Sequence, residues 1–577
     1  MKKPLTFILL LALSGACVSA DEAFDLKAAL ATMQRKGEKS LKVPAGTYRL
    51  PEAGLALSGL TDVTLDLSGV TLIATSFDRP ALNLMDCRNV TIKGLTVDYD
   101  PLPFTQGSVT AVNREARTVE FAVHEGYPSL TSEYLVTRFH LFEKQEHRWK
   151  KDAPDYYVSR TERIDDRHGR FVFGPDSPGL DRIEVGDRVA LNIREAPAIS
   201  ISSGTSGTVM EDCTIHASPG LGVIIRFAED SGTYRRLKIL PGPRPAGATE
   251  PRLLSTCADG LNAAYTRKGP VLEDCEFAYM GDDSLNVHGT ILPVLEVYED
   301  GSFLSVRPQK GEVFDLVVKP DDDLHFLQAP TYAITGRSKI ASFERVAGDS
   351  DQWRAQARKI WPTFGSKGEM TFFRVRLQSP SGEAKPGMFF EIPATAAGGY
   401  VVRDCYFHDH RARGLRLMGG DGLVENNRFE RIKGVAISIG PSFAFWREAG
   451  WCRNVTIRKN EIHDVGEGTN LRLPDSYTVG AISVIARVDP TPGGRIDYFP
   501  GNEDILIEGN TIDGSSVGAI QICAAKNTTV KDNIIRNVCL AHATDAGREY
   551  GLLSGRPIDV TQAEVELENN QLPPTQP

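Results

Sequence analysis

A short pattern returns along this chain: VMEDCTI at 209, VLEDCEF at 271, VVRDCYF at 401, LVENNRF at 423, VTIRKNEI at 455, ILIEGNTI at 505 and TVKDNII at 529, with an earlier copy, NVTIKGLTV, at 89. Each copy alternates aliphatic and polar residues with the period of a strand, then gives polar residues, a Cys or Asn, and an Ile or Phe. From Cys405 to Asn427 is 22 residues, and from Asn510 to Asn533 is 23. That is the length of one coil of a right-handed parallel β-helix, built from three short strands and their turns. Asn427, Asn460, Asn510 and Asn533 then fall between strands, where side-chain amides can bond the next turn and one another as a ladder. Cys213, Cys275 and Cys405 hold the same place and read as small buried wall residues.

The class is therefore all-β. Residues 1–20, MKKPLTFILLLALSGACVSA, read as a signal peptide cut before Asp21. Its apolar run is shorter than the roughly 20 residues that span a bilayer. The expected location is secreted or periplasmic. An outer-membrane lipoprotein is the alternative, because Leu13 to Cys17 loosely resembles a lipid-attachment box, with Ser14 where an aliphatic residue is usual. Residues 21–103 give an amphipathic helix as an N-terminal cap, a PAGTY turn and the first coils. Residues 104–195 and 291–393 alternate strongly and are too long for loops, so each reads as a small inserted antiparallel β-barrel. Coils fill 196–290 and 394–577. The formal charge of −10 argues against nucleic acid or anionic lipid as a partner and favours a neutral substrate. No later stretch reads as a membrane span. The nine cysteines include no CxxC pair, which argues against a zinc site, and no cofactor is expected.

The chemistry concentrates in CADGLNAAYTRKGPVLEDCEFAYMGDDSLNVHGT, residues 257 to 290. Asp259 precedes Asp282 by 23 residues, one coil, and stacked coils are about 4.8 Å apart. Asp259 should therefore lie beside Asp282 and Asp283, with a bend at Gly281 letting both of the latter project outward. Three such carboxylates repel, which raises the pKa of at least one. A protonated acid beside ionised ones is what glycoside hydrolysis requires. Calcium is the rival occupant, since carboxylates on such solenoids can hold it and assist β-elimination of uronic acids.

At these residues the chain resembles glycoside hydrolase family 110, exo-acting α-1,3-galactosidases that remove terminal galactose from blood group B and linear Galα1,3Gal structures. The likeness runs through Ala258-Asp259, Asp282-Asp283, Asn286-Val287-His288-Gly289-Thr290, Arg413-Gly414 in HDHRARGLRL, and FWREAGWCRNVTIRKN around Trp446. It implies a metal-independent inverting hydrolase on a parallel β-helix, with a terminal α-galactose glycan as substrate. Asp282 would be the general acid, and Asp259 and Asp283 would hold and deprotonate the water. Asn262 stands where the family commonly has a histidine, and Gly281 where it has a larger polar residue. Both would border the sugar. His288 would bond a sugar hydroxyl or brace the Asp pair, and Asn286 lies in the same motif. Arg413 and Arg252 are candidates for binding hydroxyls. Trp446 offers an apolar face for a sugar ring or for the solenoid wall. A polygalacturonase-like hydrolase, a calcium-dependent lyase and a non-catalytic carbohydrate-binding solenoid are the alternatives on the same fold.

Overall fold

The computed structural model describes residues 25–151, 153–307, 313–348, 350–360, 370–444, 446–466, 480–539 and 556–573. The expected signal peptide lies outside them. No helix among the described residues is long and apolar enough to cross a membrane.

The repeated motif supplies two of three long parallel sheets. One has twelve strands and includes Val209–Glu211, Val271–Glu273, Val401–Arg403 and Leu423 of Gly422–Glu425; another has eleven and includes Glu276–Ala278 and Tyr406–His410. A third parallel series runs through Val223–Arg226, Leu261–Ala264, Leu285–Val297, Leu415–Leu417 and Ile437–Ile439. Inward side chains such as Leu261, Ala263, Leu285, Val287, Leu415 and Leu417 are fully buried. Each large aliphatic one stabilises the wall by roughly 1.5–3 kcal/mol.

Between the first two sheets the chain turns through a left-handed residue: Asp212, Asp274, Asp404, Asn426, Lys459 and Asp532 all have φ of 54° to 56°. Short polar side chains tolerate that conformation, which explains why Asp or Asn so often precedes the wall position. The next residue turns inward. Asn427 Nδ2 donates to Asn460 Oδ1 at 3.0 Å, Asn460 to Asn510 at 2.9 Å, Asn510 to Asn533 at 2.9 Å, and Asn533 to Asn570 at 2.9 Å. The expected amide ladder is thus formed, extended by Asn570. Cys405 N–H joins its end by donating to Asn427 Oδ1, and all cysteines of the described residues are free thiols.

The helix Leu26–Lys36 starts at Asp25, whose carboxylate accepts from Ala28 N–H, and buries Leu26, Leu30 and Met33 in the solenoid core. Two antiparallel regions interrupt the coils. The first, Phe104 to Asn192, is a seven-stranded sheet whose edge strands, Tyr156–Tyr157 and Arg160–Arg163, are consecutive in the chain. Val158 N–H donates to Thr137 O and Ser159 N–H to Val172 O, so the sheet curls around Phe121, Phe139 and Phe171. Its strand order is that of an open sheet, where a barrel was expected. The second region is a closed barrel of six strands: Leu285–Val297, Phe303–Arg307, Thr371–Leu377, Ala333–Arg345, Asp323–Gln328 and Phe389–Glu391, which returns to the first. Its opening strand is the far end of a solenoid strand, so it stands directly over the third sheet.

Candidate active site

The register of the third sheet pairs Leu261 with Leu285 and Leu285 with Leu415. The coil at this point is therefore 24 residues, one more than the Asp259 to Asp282 spacing suggested. Two residues ahead of each strand the register stacks Asp259, Asp283 and Arg413, and Asp282 sits one position earlier at the bend. One oxygen from each of Asp259, Asp282 and Asp283 lies within 4.8 Å of the other two. Gly281 permits this by its lack of bulk: a Cβ there would lie 2.5 Å from Cys257 O on the neighbouring coil.

The three carboxyl groups have different surroundings. Asp259 is 7% exposed and accepts one hydrogen bond, from Asn262 Nδ2 at 2.8 Å. Burial, reinforced by the charges of Asp282 and Asp283, pushes it up to about 7. Asp282 receives Arg411 Nη2 on Oδ1 at 2.6 Å and Arg194 Nη2 on Oδ2. Burial pushes Asp282 upward too, but Arg411, Arg194, Arg138 and Arg413 outweigh it and hold the carboxyl well below the usual range. Asp283, 2% exposed, accepts Arg413 backbone N–H and Nε on Oδ1 at 2.9 Å and Nη2 on Oδ2 at 3.0 Å. The resting site thus keeps a proton on Asp259 up to neutral pH and a charge on Asp282. Five of the six carboxylate oxygens already accept from Arg or Asn. A calcium ion would have to displace three guanidinium groups, so the donor set fits arginine pairing better than a hard cation.

Beside the triad, the outward row of the third sheet aligns Asn262, Asn286, Arg416 and Ser438 in register. All four are at most 8% exposed, beneath the barrel. Asn262 Oδ1 and Asn286 Oδ1 have no hydrogen-bond partner in the protein. Buried amides are rarely left so, and two adjacent orphaned acceptors fit a ligand's hydroxyl donors. Glu448 closes the row, 2.7 Å from Arg416 Nη2 and 3.8 Å from His288 Nε2. Burial pushes Glu448 up, but Arg416, His288, Arg413 and Arg226 hold it low. Burial pushes His288 down to about 4, so the ring is neutral at neutral pH, with Nδ1 donating to Gly289 O at 2.8 Å.

Of the residues expected here, Asp259, Asp282, Asp283, Asn262, Asn286, His288 and Arg413 come together. Arg413 grips Asp283 instead of awaiting a hydroxyl, and His288 faces Glu448 instead of bracing the Asp pair. Arg252 does not join them: its guanidinium forms a buried two-point pair with Asp98 at 2.7 and 2.9 Å, pinning the segment before Cys257. Trp446 is 51% exposed, so it does not line the wall core. Arg138, Arg194, Arg411, Arg416 and Glu448 were missed. Arg411, Arg416 and Glu448 had a signal, since all three lie inside motifs already singled out, HDHRARGLRL and FWREAGW. Arg138 and Arg194 arrive from the first insertion, and nothing local marks them.

No protein-family model matches the chain. Curated relatives do. Alpha-1,3-galactosidase B of Bacteroides thetaiotaomicron is 25% identical over 79% of this chain and 70% of its own length. The protein of the same name from Bacteroides fragilis is 25% identical over 87% of this chain and 86% of its own. That from Akkermansia muciniphila is 24% identical over 85% and 61%. Among solved structures, an exopolygalacturonase from Thermotoga maritima is 13% identical with a TM-score of 0.40, covering 95% of this chain and 87% of its own. The catalytic domain of an alpha-1,3-glucanase is 10% identical with a TM-score of 0.36, covering 96% and 65%. The sequence relationship spans both insertions and the coils between them, and by it the chain is a glycoside hydrolase, a distant relative of the bacterial alpha-1,3-galactosidases.

Proposed function

We propose that this chain is an exported, exo-acting α-galactosidase that releases terminal α-1,3-linked galactose from glycans with inversion. The observation that carries the reading is three adjacent carboxyl groups in unequal surroundings: Asp259 is buried with one amide donor and raised toward neutral pH, and Asp282 is gripped by two arginines and held ionised. The names of the relatives support the sugar and linkage.

The orphaned carbonyls of Asn262 and Asn286, with Arg416 and Glu448, form an enclosed polar wall for a terminal sugar. Asp282 protonates the departing oxygen, and Asp283 with Asp259 directs water to the anomeric carbon. At rest the proton is on Asp259. Asp282 acquires it once the entering glycan draws Arg194 away, because losing one guanidinium restores proton affinity. Asp259, left ionised, is then a base. Water attacks as the glycosidic bond breaks, its proton passes to Asp259 or Asp283, and the proton of Asp282 leaves with the aglycone.

One distance favours a second reading. Oxygens within 4.8 Å are nearer the roughly 5–5.5 Å of retaining enzymes than the roughly 6.5–9.5 Å usual for inversion. Incubating purified protein with a Galα1,3Gal glycan and following the first anomer by proton NMR separates the two. β-Galactose first supports inversion and α-galactose first supports retention. Absence of released galactose contradicts the proposal.

A further inference from the structure

On the side of Asp282 away from Asn262 and Asn286, the first inserted sheet brings a cationic group to the site. Arg138 and Tyr157 are cross-strand partners there, with the Arg138 guanidinium 5.5 Å from the Tyr157 ring centre. Arg138 is 8% exposed, and its Nε and Nη2 have no hydrogen-bond partner in the protein. Arg194, just beyond the last strand of that sheet, has a side chain 40% exposed and bonds Asp282. Arg411 pairs with both Asp282 and Asp155. Four arginines, Arg138, Arg194, Arg411 and Arg413, thus meet three carboxylates besides Asp259: Asp155, Asp282 and Asp283. His140, buried alongside and pushed far down by burial and by the arginines, adds no charge. Lys433 also acts on Asp155 and Glu448 on Arg413, and the cluster stays net cationic in a protein whose whole-chain charge is −10.

A buried guanidinium with unused donors is costly unless something completes it. This flank is also the open one: Tyr157 is 56% exposed, whereas the Asn262 and Asn286 side is covered. A terminal sugar fits the covered side and the rest of the glycan the open side. We propose that Arg138, Arg194 and Tyr157 form a subsite for a leaving-group sugar bearing an oxyanion, a sulfate ester or a carboxylate, with Tyr157 as the ring platform. Guanidinium groups suit both anions, since each offers two oxygens to paired N–H donors. Placing it on the leaving-group side rests on the galactosidase reading above. The anion competes with Asp282 for Arg194, so the substrate that fits the subsite is the one that frees Asp282.

The test compares kcat/KM for three matched α-1,3-galactosides whose leaving sugar is neutral galactose, galactose sulfate or galacturonate. Wild type, Arg194→Gln and Tyr157→Ala are assayed at low and high salt. The expected result is at least a tenfold preference for a charged substrate, lost in Arg194→Gln and at high salt. The sulfate and galacturonate arms show which anion is taken. Tyr157→Ala should weaken neutral and charged substrates alike. A purely structural Arg194 would lower both rates and leave their ratio unchanged, which would overturn the proposal, as would a wild type that prefers the neutral substrate. Binding of free galactose 6-sulfate, galactose 4-sulfate and galacturonate is measured calorimetrically in parallel. Arg194-dependent binding without hydrolysis supports the subsite and sinks the galactosidase reading. Neutral hydrolysis with neither charge preference nor anion binding does the reverse.

Discussion

Asparagines are stacked rung upon rung on two faces of this solenoid, with opposite outcomes. Inside the turn, Asn427, Asn460, Asn510 and Asn533 donate both amide hydrogens to neighbours and accept on the carbonyl oxygen. On the third sheet, Asn262 and Asn286 are also buried, yet each leaves its carbonyl oxygen unused. The same residue type on the same scaffold holds coils together in one place and waits for a ligand in the other. What separates them is where each side chain turns: the ladder amides bond the next rung, whereas Asn262 Nδ2 turns to Asp259 and Arg416 beside Asn286 turns its guanidinium to Glu448.

The contrast breaks if the site side proves to be about stability, or the ladder about catalysis. The largest effect is expected at Asp283→Asn, with kcat falling about 10²- to 10⁴-fold, the range for a lost acid–base group. Circular dichroism should still show the wild-type fold. Next, Asn510→Ala orphans amide groups on two adjacent rungs, at about 1–3 kcal/mol for each unsatisfied group. Urea unfolding should record that loss, while kcat per folded molecule stays unchanged. Asn286→Ala should do the converse, with unfolding free energy shifted by less than about 1 kcal/mol and kcat/KM reduced about tenfold, as for one or two neutral hydrogen bonds. A smaller effect concerns pH. Asp259 binds its proton more tightly folded than unfolded, so its contribution to stability is full below about pH 4. That contribution is lost as pH rises through about 7. Asp259→Asn should therefore be more stable relative to wild type at pH 8 than at pH 4 by thermal melting. A chelator should change hydrolysis least of all, because arginines occupy the oxygens that calcium would need.

The solenoid was legible because one coil is short enough to repeat visibly, and its left-handed turn favours Asp, Asn or Gly before the wall position, with Lys459 the exception. The three aspartates were legible for the same reason, since the repeat turns sequence spacing into adjacency. That one of them would be raised was legible too, but which one keeps the proton was not. It depends on Arg411 and Arg413, 129 and 130 residues beyond the aspartates they bind, and on Arg194, 88 residues before. The barrel separates Arg411 and Arg413 from the aspartates in sequence, and solenoid coils separate Arg194 from Asp282, so no local pattern records the pairing. Arg252 misled for the matching reason: its partner, Asp98, lies 154 residues away. Acidic composition, likewise, describes the average surface and not the cationic flank of one cleft.

The account depends on burial, together with coil geometry that crowds three acids, raising Asp259 until it titrates near neutral pH. Carbon-13 NMR of aspartate carboxyls in the intact protein, with Asp259→Asn used to assign the signal, measures this directly. The predicted result is an Asp259 resonance titrating near pH 7 while the Asp282 carboxyl stays ionised across the whole range. An Asp259 midpoint near 4, the ordinary value for an isolated aspartate, would contradict it.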